Sequence, residues 1–455
     1  MDNWKNIILG FGLFFFVMVL FFTGGTSLFW NSVALGGLMV FLWVFEVVPI
    51  YVTALFPLVL GIPLGILDQT DLAKAYGNSN VYLFLGGFIL ALALEKWNVH
   101  EQIARGIIKV VGSTKPRILL GFLLSTAILS MWISNTATAL MMLPMALAVI
   151  HALPKGEKHS RFPLLLLLSV AYAASVGGMA TLVGSPPNIQ MASILEQNYQ
   201  IEIDFISWMK VALPISLSMI LAIFLFFYFL LGKERKGEEQ QIAIKPEPWN
   251  KDQLLILIIF GIVVILWSFR EYFNGMGFNY RDEVPAILGA VLMFLIPSSH
   301  KKPILVWKDT EKLPWGILLL FGGGLALAAM FEKNGVITAM TASFSNFSSL
   351  PFFLLLLIIV AVAIFATEIM SNLALVTVLV PVMAQFALQS DYSIIQLCLP
   401  ITLASSCAFM LPVGTPPNAI IFSSGEVKIN QMVQVGFVLN IIGVLLVTLF
   451  SMAFL

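Results

Sequence analysis

Charged residues are scarce in this chain of 455 residues, since Asp, Glu, Lys and Arg together make up 11% of it. A soluble domain carries roughly a quarter of charged residues, whereas 59% of the residues here are hydrophobic. The composition therefore predicts an all-α polytopic membrane protein embedded in a lipid bilayer. The 24 basic and 24 acidic residues balance, which argues against a nucleic-acid partner and against a basic surface domain.

Cysteine and histidine are also rare, and their positions exclude two kinds of chemistry. The two cysteines, Cys398 and Cys407, share one apolar segment and imply no disulfide framework. The four histidines lie in or beside loops and lack the spacing of metal ligands. The apolar segments carry neither a Ser/His pair nor paired carboxylates, so we expect neither an enzyme nor a resident cofactor.

Long apolar runs predict about eleven transmembrane helices and two helical hairpins, arranged as two five-helix repeats after a first helix. The helix at 7–22 is expected to be retained, because no small-x-small cleavage pattern follows it. The predicted units are the first helix and loop (1–32), repeat 1 (33–231) with a hairpin at 116–153, a cytoplasmic linker (232–251), and repeat 2 (252–455) with a hairpin at 351–388.

The remaining predicted segments follow from the same apolar runs. They lie at 33–48, 50–66, 81–95, 162–183, 188–200, 211–231, 253–269, 284–296, 314–331, 394–413, from about 417, and 431–454, with an amphipathic helix at 99–111 and a short interfacial helix at 336–346.

Two polar motifs occur twice, and the two copies of each are separated by nearly the same length of chain. Ser-Asn-Thr at 134–136 is echoed by Ser-Asn-Leu at 371–373. Gly-Ser-Pro-Pro-Asn at 184–188 is echoed by Gly-Thr-Pro-Pro-Asn at 414–418. Such internal symmetry is typical of transporters built from inverted repeats, in which the second copy enters the membrane upside down.

Glycines and acidic residues repeat at similar intervals. Gly86 matches Gly323 at the same spacing as the two Ser-Asn motifs, and the acid-x-x-Pro sequence at 46–49 matches the one at 282–285 at almost that spacing. The acidic residues at predicted helix ends are expected to lie at the membrane interface; they are Glu46, Glu95, Glu283 and Glu332.

The distribution of basic residues predicts the orientation of the chain. With a cytoplasmic N-terminus and with 116–153 leaving and returning on one side, 19 of the 24 Lys and Arg residues face the cytoplasm. The second hairpin then opens from the opposite face. Each limb is about sixteen residues long, which spans roughly 24 Å and falls short of the ~30 Å hydrocarbon core. We therefore expect both hairpins to be re-entrant.

A re-entrant hairpin places the start of its second helix in the middle of the membrane. The first N–H groups of that helix are unpaired, and the positive end of its dipole points inward. Ser and Asn at this point can cap the helix and donate to an anion without any Arg or Lys. Two such tips from opposite faces would hold a molecule with an anionic group at each end.

The Gly-[Ser/Thr]-Pro-Pro-Asn motifs are expected to interrupt a second helix in each repeat. Proline donates no backbone hydrogen bond, so carbonyls just before each motif lose their helical partners. Free carbonyls of this kind are good ligands for a small hard cation such as Na⁺. A cation beside each tip would offset the charge of the anion.

Simpler interpretations compete with each of these assignments. A lone Ser or Asn in a membrane helix is usually a contact between helices, and Pro-Pro is more often a kink than a site. The duplication of both motifs in uncharged surroundings favours function. Glu368 could carry a proton, but its match in repeat 1 is Met131, so a structural role is preferred.

The repeated motifs, together with Leu-Phe-Leu-Gly-Gly-Phe at 83–88 and Glu-Lys-Trp-Asn at 95–98, resemble the divalent anion/sodium symporter family of INDY-type dicarboxylate transporters. The resemblance covers nearly the whole chain after the first helix. It implies a homodimer that works by an elevator mechanism and carries succinate, malate, fumarate, α-ketoglutarate or, in some members, citrate. It also implies a scaffold, mainly 1–98 and 252–334, and a transport domain, mainly 112–231 and 350–455.

The same resemblance implies roles for individual residues. Those expected to contact the substrate carboxylates are Asn135, Thr136, Ser185, Ser371, Asn372 and Thr415. Those expected to form one sodium site are Ser130, Ser134, Asn135 and Gly184. Those expected to form the other are Thr367, Met370, Asn372 and Gly414. Leu373 departs from the doubled Ser-Asn-Thr pattern and places an apolar wall beside the substrate.

Two questions stay open at this point. The family contains both Na⁺ symporters and cation-independent dicarboxylate exchangers, and the sequence does not separate them. A cation/proton antiporter of related hairpin architecture is the main alternative, although it would need more acidic residues at mid-membrane than Glu368 alone. An intramembrane enzyme or an anion channel fits less well.

Overall fold

The computed structural model describes residues 3–154, 160–236, 248–342, 350–390 and 392–454. Within these ranges the secondary structure is helical, and no strand forms apart from an isolated β-bridge between Pro297 and Pro303. Nine of the described helices are long and apolar enough to cross a membrane. The predicted all-α polytopic membrane fold is confirmed.

The first half of the chain forms a series of helices that ends before the polar linker. They are α1 (Asn3–Phe22), α2 (Leu28–Phe45), α3 (Ile50–Thr53), α4 (Phe56–Leu60), α5 (Gln69–Tyr76), α6 (Ser79–Lys96), α7 (Val99–Val111), α8 (Lys115–Ser130), α9 (Asn135–Ala152), α10 (Arg161–Gly178), α11 (Pro186–Tyr199) and α12 (Phe205–Leu231).

The second half repeats much of this order. Its helices are α13 (Lys251–Ser268), α14 (Arg270–Gly275), α15 (Glu283–Leu295), α16 (Trp315–Lys333), α17 (Val336–Ala342), α18 (Phe352–Ala366), α19 (Asn372–Leu388), α20 (Ile394–Ser405), α21 (Pro416–Ser423) and α22 (Ile429–Phe454). Short 3₁₀ turns lie at Gly232–Lys236 and Trp307–Lys312.

Two consecutive helices occupy each predicted hairpin, and the amphipathic helix α7 has the predicted bounds. In the first hairpin a short turn at 131–134 joins α8 to α9, and in the second a short turn at 367–371 joins α18 to α19. The tips therefore lie where the Ser-Asn motifs predicted them. Residues 237–247 of the predicted linker and 343–346 of the predicted short helix lie outside the described residues.

Three predicted helices are shorter or more broken than their apolar runs indicated. The segment 50–66 is split into α3 and α4, and Pro57 lies in the first turn of α4, where its missing N–H has no cost. The segments 162–183 and 394–413 end as helices at Gly178 and Ser405, several residues before the Pro-Pro motifs. Helix α5, which Asp68 and Asp71 cap, was not predicted.

Helices of the two repeats are interleaved, so that helices of one repeat pack directly on helices of the other. Helix α11 packs on α19 and α20 of repeat 2, and α21 packs on α9 and α10 of repeat 1. In the same way α6 packs on α15, and α16 packs on α3 and α4. Each short helix that follows a Pro-Pro motif therefore contacts the hairpin of the other repeat, which brings the four motifs together.

Close approach of helices at two matched glycines makes this arrangement possible. A Cβ atom on Gly86 would lie 2.6 Å from the backbone of Ala286, and one on Gly323 would lie 2.5 Å from the carbonyl oxygen of Ala54. Both distances are too short for any side chain, so α6 and α16 touch their neighbours backbone to backbone.

We expect Gly323→Ala to destabilise the fold by about 1–3 kcal/mol, because the added methyl group meets backbone that cannot rotate away. Gly261→Ala on α13 is the matched control, since no atom lies within 4 Å of its Cβ position. Thermal unfolding in detergent, followed by the fraction of protein that stays monodisperse, measures the difference. Equal melting temperatures for the two variants would contradict the contact.

Candidate functional site

A cavity of about 510 Å³ lies where the tips of both hairpins meet both Pro-Pro loops. All six residues predicted to contact an anion line this cavity; they are Asn135, Thr136, Ser185, Ser371, Asn372 and Thr415. The two tips, which are far apart in sequence, thus share one chamber. A pocket of this size falls in the range of small-molecule sites, roughly 300–1,000 Å³.

A serine caps the second helix of each hairpin, which begins at the cavity. The N–H of Ala137 donates to Ser134 Oγ at 3.3 Å at the start of α9. The N–H of Ala374 donates to Ser371 Oγ at 3.2 Å at the start of α19. The remaining free N–H groups of both helices and the positive ends of their dipoles are directed to the same region.

The asparagine after each capping serine is oriented by a buried hydroxyl. Ser130 Oγ lies 2.8 Å from Asn135 Oδ1 and 2.6 Å from the carbonyl oxygen of Ala174. In repeat 2, Thr367 Oγ1 lies 2.6 Å from Asn372 Oδ1. Because the amide oxygens are engaged, the NH₂ groups of both asparagines are left to donate to a ligand.

The last residue of each Pro-Pro motif braces the interrupted helix. Asn188 Nδ2 donates to the carbonyl oxygens of Gly178 and Thr181, at 3.0 and 2.8 Å. Asn418 Nδ2 donates at 3.0 Å to the carbonyl oxygens of Ala408 and Leu411. The prolines occupy the first turns of α11 and α21, where no N–H donor is needed. These asparagines support the loops rather than face the cavity.

Backbone oxygens surround Gly184 in the first loop. A Cβ atom there would lie 2.6 Å from the carbonyl oxygen of Gly178 and 3.0 Å from those of Ser130 and Met131. The hydroxyl of Thr181 also donates to the carbonyl of Met131. Three carbonyl oxygens that converge on a space without a side chain have the chemistry of a site for a small hard cation.

The second loop is built differently, because a carboxylate replaces part of the carbonyl set. Glu368 is buried and accepts hydrogen bonds from the N–H groups of Phe409, Met410 and Leu411 at 2.7–2.9 Å, and from Asn440 Nδ2 at 2.8 Å. A Cβ atom on Gly414 would lie 3.1 Å from Glu368 Oε2. Four donors to one carboxylate indicate the structural role preferred for Glu368.

The residues predicted to bind sodium fall into two groups by position. Those that line the cavity are Ser134, Asn135, Asn372 and Gly414. Those behind its wall are Ser130 and Thr367, which are fully buried, Gly184, which adjoins the carbonyls described above, and Met370, which is partly buried in the second hairpin turn.

The opposite wall of the cavity comes from α2, α3 and α16. It consists of Glu46, Ile50, Tyr51, Ile317 and Leu320. Glu46 ends helix α2, as expected, but its side chain lines the cavity. It is the one charged residue among the described residues of the lining, and no Lys, Arg or His is among them. The sequence offered a signal for it, since acid-x-x-Pro at 46–49 recurs at 282–285.

Comparison with known proteins places these features in a wider group. The model of the family described as "Sodium:sulfate symporter transmembrane region" matches residues 3–455. A protein of Staphylococcus saprophyticus named "Sodium-dependent dicarboxylate transporter SdcS" is 35% identical over 429 residues, which cover 90% of this chain and 82% of that protein. The protein of the same name from Staphylococcus aureus (strain USA300) is 34% identical over 462 residues, 96% of this chain and 89% of that protein.

The YdaH transporter of Alcanivorax borkumensis has a similar solved structure. It superimposes with a TM-score of 0.57 over 84% of this chain and 87% of its own, at 11% sequence identity. At that identity the likeness concerns the fold alone.

Proposed function

The chain belongs to the family of the sodium:sulfate symporter transmembrane region, and from that premise we propose that it is a secondary transporter that moves dicarboxylates across the cell membrane. The substrates are four- and five-carbon diacids of the succinate, malate, fumarate and α-ketoglutarate class. The observation that carries the proposal is that both capped hairpin tips and both Pro-Pro loops line one cavity. The two curated relatives are named for sodium-dependent dicarboxylate transport.

In the proposed complex each hairpin tip binds one carboxylate. Asn135 and Asn372 donate through their NH₂ groups, because their oxygens are held by Ser130 and Thr367. Hydroxyl donors complete the shell; they are those of Thr136, Ser185, Ser371 and Thr415. Ser185 caps no N–H group of α11, so its hydroxyl is available for a ligand.

A dianion in this cavity needs compensating charge, because the described lining residues supply no cationic side chain. Two unit charges of opposite sign about 4 Å apart attract by about 4 kcal/mol at an effective dielectric constant of about 20. One Na⁺ beside each carboxylate would provide that attraction. We propose that binding of Na⁺ and binding of the diacid are coupled in this way, so that the protein is a Na⁺ symporter.

The residues around the first loop fit a sodium ion. Ser130, Ser134, Asn135 and Gly184 would hold it, with carbonyl oxygens that converge beside Gly184. At the second loop the proposed ligands are Thr367, Met370, Asn372 and Gly414, next to the carboxylate of Glu368.

We propose that the chain is divided into a scaffold, mainly 1–98 and 252–334, and a transport domain, mainly 112–231 and 350–455. The transport domain slides against the scaffold as an elevator and carries the site across the membrane. We also propose that two chains form a homodimer and that the N-terminus is cytoplasmic. Under this orientation Glu46 lies on the cytoplasmic side.

The antiporter alternative is not supported. The relatives are named as dicarboxylate transporters, and the carboxylate of Glu368 is engaged by four N–H donors. Transport is also not an enzymatic reaction, so an enzyme is not proposed.

Uptake of radiolabelled succinate into proteoliposomes tests the function. We expect an inward Na⁺ gradient to accelerate uptake at least tenfold over an equal K⁺ gradient, with no internal dicarboxylate present, because Na⁺ offsets the charge of the substrate. Acceleration by internal dicarboxylate without any Na⁺ effect would replace symport by exchange. Absence of uptake of any dicarboxylate under both conditions would refute dicarboxylate transport.

We expect Asn135→Ala and Asn372→Ala each to lower uptake at least tenfold, because each removes a donor to one carboxylate and an oxygen near a cation. Asn198→Ala is the matched control, since the amide nitrogen of Asn198 has no hydrogen-bond partner in the described structure. Initial uptake rates at equal amounts of inserted protein measure the effect. Normal uptake by either tip variant would remove that tip from the site.

We expect Leu373→Thr to change substrate preference without abolishing transport, because Leu373 lines the cavity at the position that matches Thr136. An added hydroxyl contributes about 1 kcal/mol toward a hydroxylated diacid, so the KM ratio of succinate to malate should rise roughly three- to tenfold. Leu217→Thr on the exposed face of α12 is the control. An unchanged ratio would show that this side chain does not reach the substrate.

A further inference from the structure

The matched carboxylates Glu46 and Asp282 stand in different surroundings. Each lies three residues before a proline, Pro49 or Pro285, and each precedes a helix that packs against the other repeat. Asp282 is buried, whereas Glu46 is exposed in the wall of the cavity. The carboxylate at this position is therefore buried in repeat 2, at Asp282, and exposed to the cavity in repeat 1, at Glu46.

Asp282 is sealed by the start of α12. The N–H of Phe205 donates to Asp282 Oδ2 at 2.8 Å, and Arg270 Nη1 lies 3.5 Å from Asp282 Oδ1. The ring of Phe205 stacks on Trp267 at 4.6 Å between centroids. Burial raises the pKa of Asp282 to about 6, although the Phe205 N–H and Arg270 act in the opposite direction.

Further ion pairs join the same two parts of the chain. Arg270 bonds to Glu202 at 2.5 Å, Arg281 pairs with Glu196, and Asn80 Nδ2 donates to Glu196 at 2.9 Å. Residues from the end of α11, from the connecting segment and from the start of α12 thus bind residues around α6, α14 and α15. These contacts, with those of Asp282, form a latch between the proposed transport domain and scaffold, here named the Asp282 latch.

The corresponding groups of the other repeat are unpaired in this state. Helix α22 closes repeat 2 as α12 closes repeat 1, and Lys428 directly precedes it as Asp204 precedes α12. Lys428 is exposed, and its backbone N–H bonds to Gln431. Within the described part of the chain, neither Glu46 nor Lys428 takes part in an ion pair.

Inverted repeats exchange roles when a transporter changes the side to which it opens. In the present state, the segment from α11 to α12 contacts the turn before α15. In the opposite-facing state, the matching segment of repeat 2, from α21 to α22, should contact the junction between α2 and α3. We infer, on the basis of the transport function proposed above, that Glu46 and Lys428 form a second latch that closes in the opposite-facing state. In that state Glu46 accepts from the first N–H of α22 and pairs with the ammonium group of Lys428.

The two latches differ in the charges that they contain. In the Asp282 latch, Arg270 and Arg281 each lie within 4 Å of two carboxylates, whereas the second latch would contain one lysine and one carboxylate. A ligand shifts the balance between the two states only to the extent that it binds one of them more tightly.

Disulfide trapping in proteoliposomes tests the second latch without depending on uptake. We expect Glu46→Cys/Lys428→Cys to form an intramolecular disulfide under mild oxidation, found by mass spectrometry of the linked peptides. The pair Phe205→Cys/Asp282→Cys is the positive control for the state described here, and Glu46→Cys/Lys210→Cys is the negative control. The native Cys398 and Cys407 are fully buried, so the wild-type protein serves as the background.

The outcomes separate the latch from the transport function. A 46–428 disulfide in protein that takes up dicarboxylate supports both, and uptake should return when the disulfide is reduced. Formation of that disulfide without any dicarboxylate uptake supports the latch and counts against the proposed substrate. Absence of the disulfide while the 205–282 pair links and the wild type transports overturns the latch alone.

Discussion

Helices that end inside an apolar medium leave backbone N–H and C=O groups without water, and most of the site is a response to that constraint. Ser134 and Ser371 satisfy N–H groups at the hairpin tips. Asn188 and Asn418 satisfy pairs of carbonyls in the interrupted helices. These side chains bond to only some of the free backbone groups, so other N–H groups and carbonyl lone pairs remain available to a ligand. The polar character of the cavity thus results from incomplete helices rather than from charged residues.

The sequence locates the tips and loops that line the cavity because Ser-Asn and Pro-Pro act locally. Single prolines such as Pro144 and Pro381 lie inside helices, whereas a capping serine marks a helix start and the Pro-Pro motifs occupy the first turns of α11 and α21, so the duplicated motifs indicated both tips and both loops. The breaks elsewhere depend on distant partners. Ala54 lies between α3 and α4 against Gly323, and the segment after Ser405 is held by Glu368. Neither contact can be inferred from the apolar run that contains the break. The cavity position of Glu46 was missed for the same reason, since it depends on how α2 meets the hairpins.

The two repeats solve the same backbone problem with different side chains. In repeat 1, the Thr181 hydroxyl donates to the carbonyl of Met131 and accepts from the N–H of Gly184. The matching residue of repeat 2 is Leu411, which has no hydroxyl, and Glu368 accepts from its N–H instead. A carboxylate accepts several bonds at once, so it holds a longer non-helical stretch than one hydroxyl can. The proposed cation sites are therefore chemically unequal, although their motifs look alike.

The lack of cationic side chains in the described lining of the cavity has an electrical consequence. No Lys, Arg or His belongs to the described residues of its wall, so in the proposed cycle the net charge of the translocated complex is that of the diacid and its accompanying ions. A dianion with two Na⁺ ions would cross without sensing the membrane voltage, whereas each additional ion would couple the step to it by about 2.3 kcal/mol per 100 mV. The number of ions carried, rather than any fixed residue of the site, would then decide whether a cell's membrane potential drives accumulation of the acid.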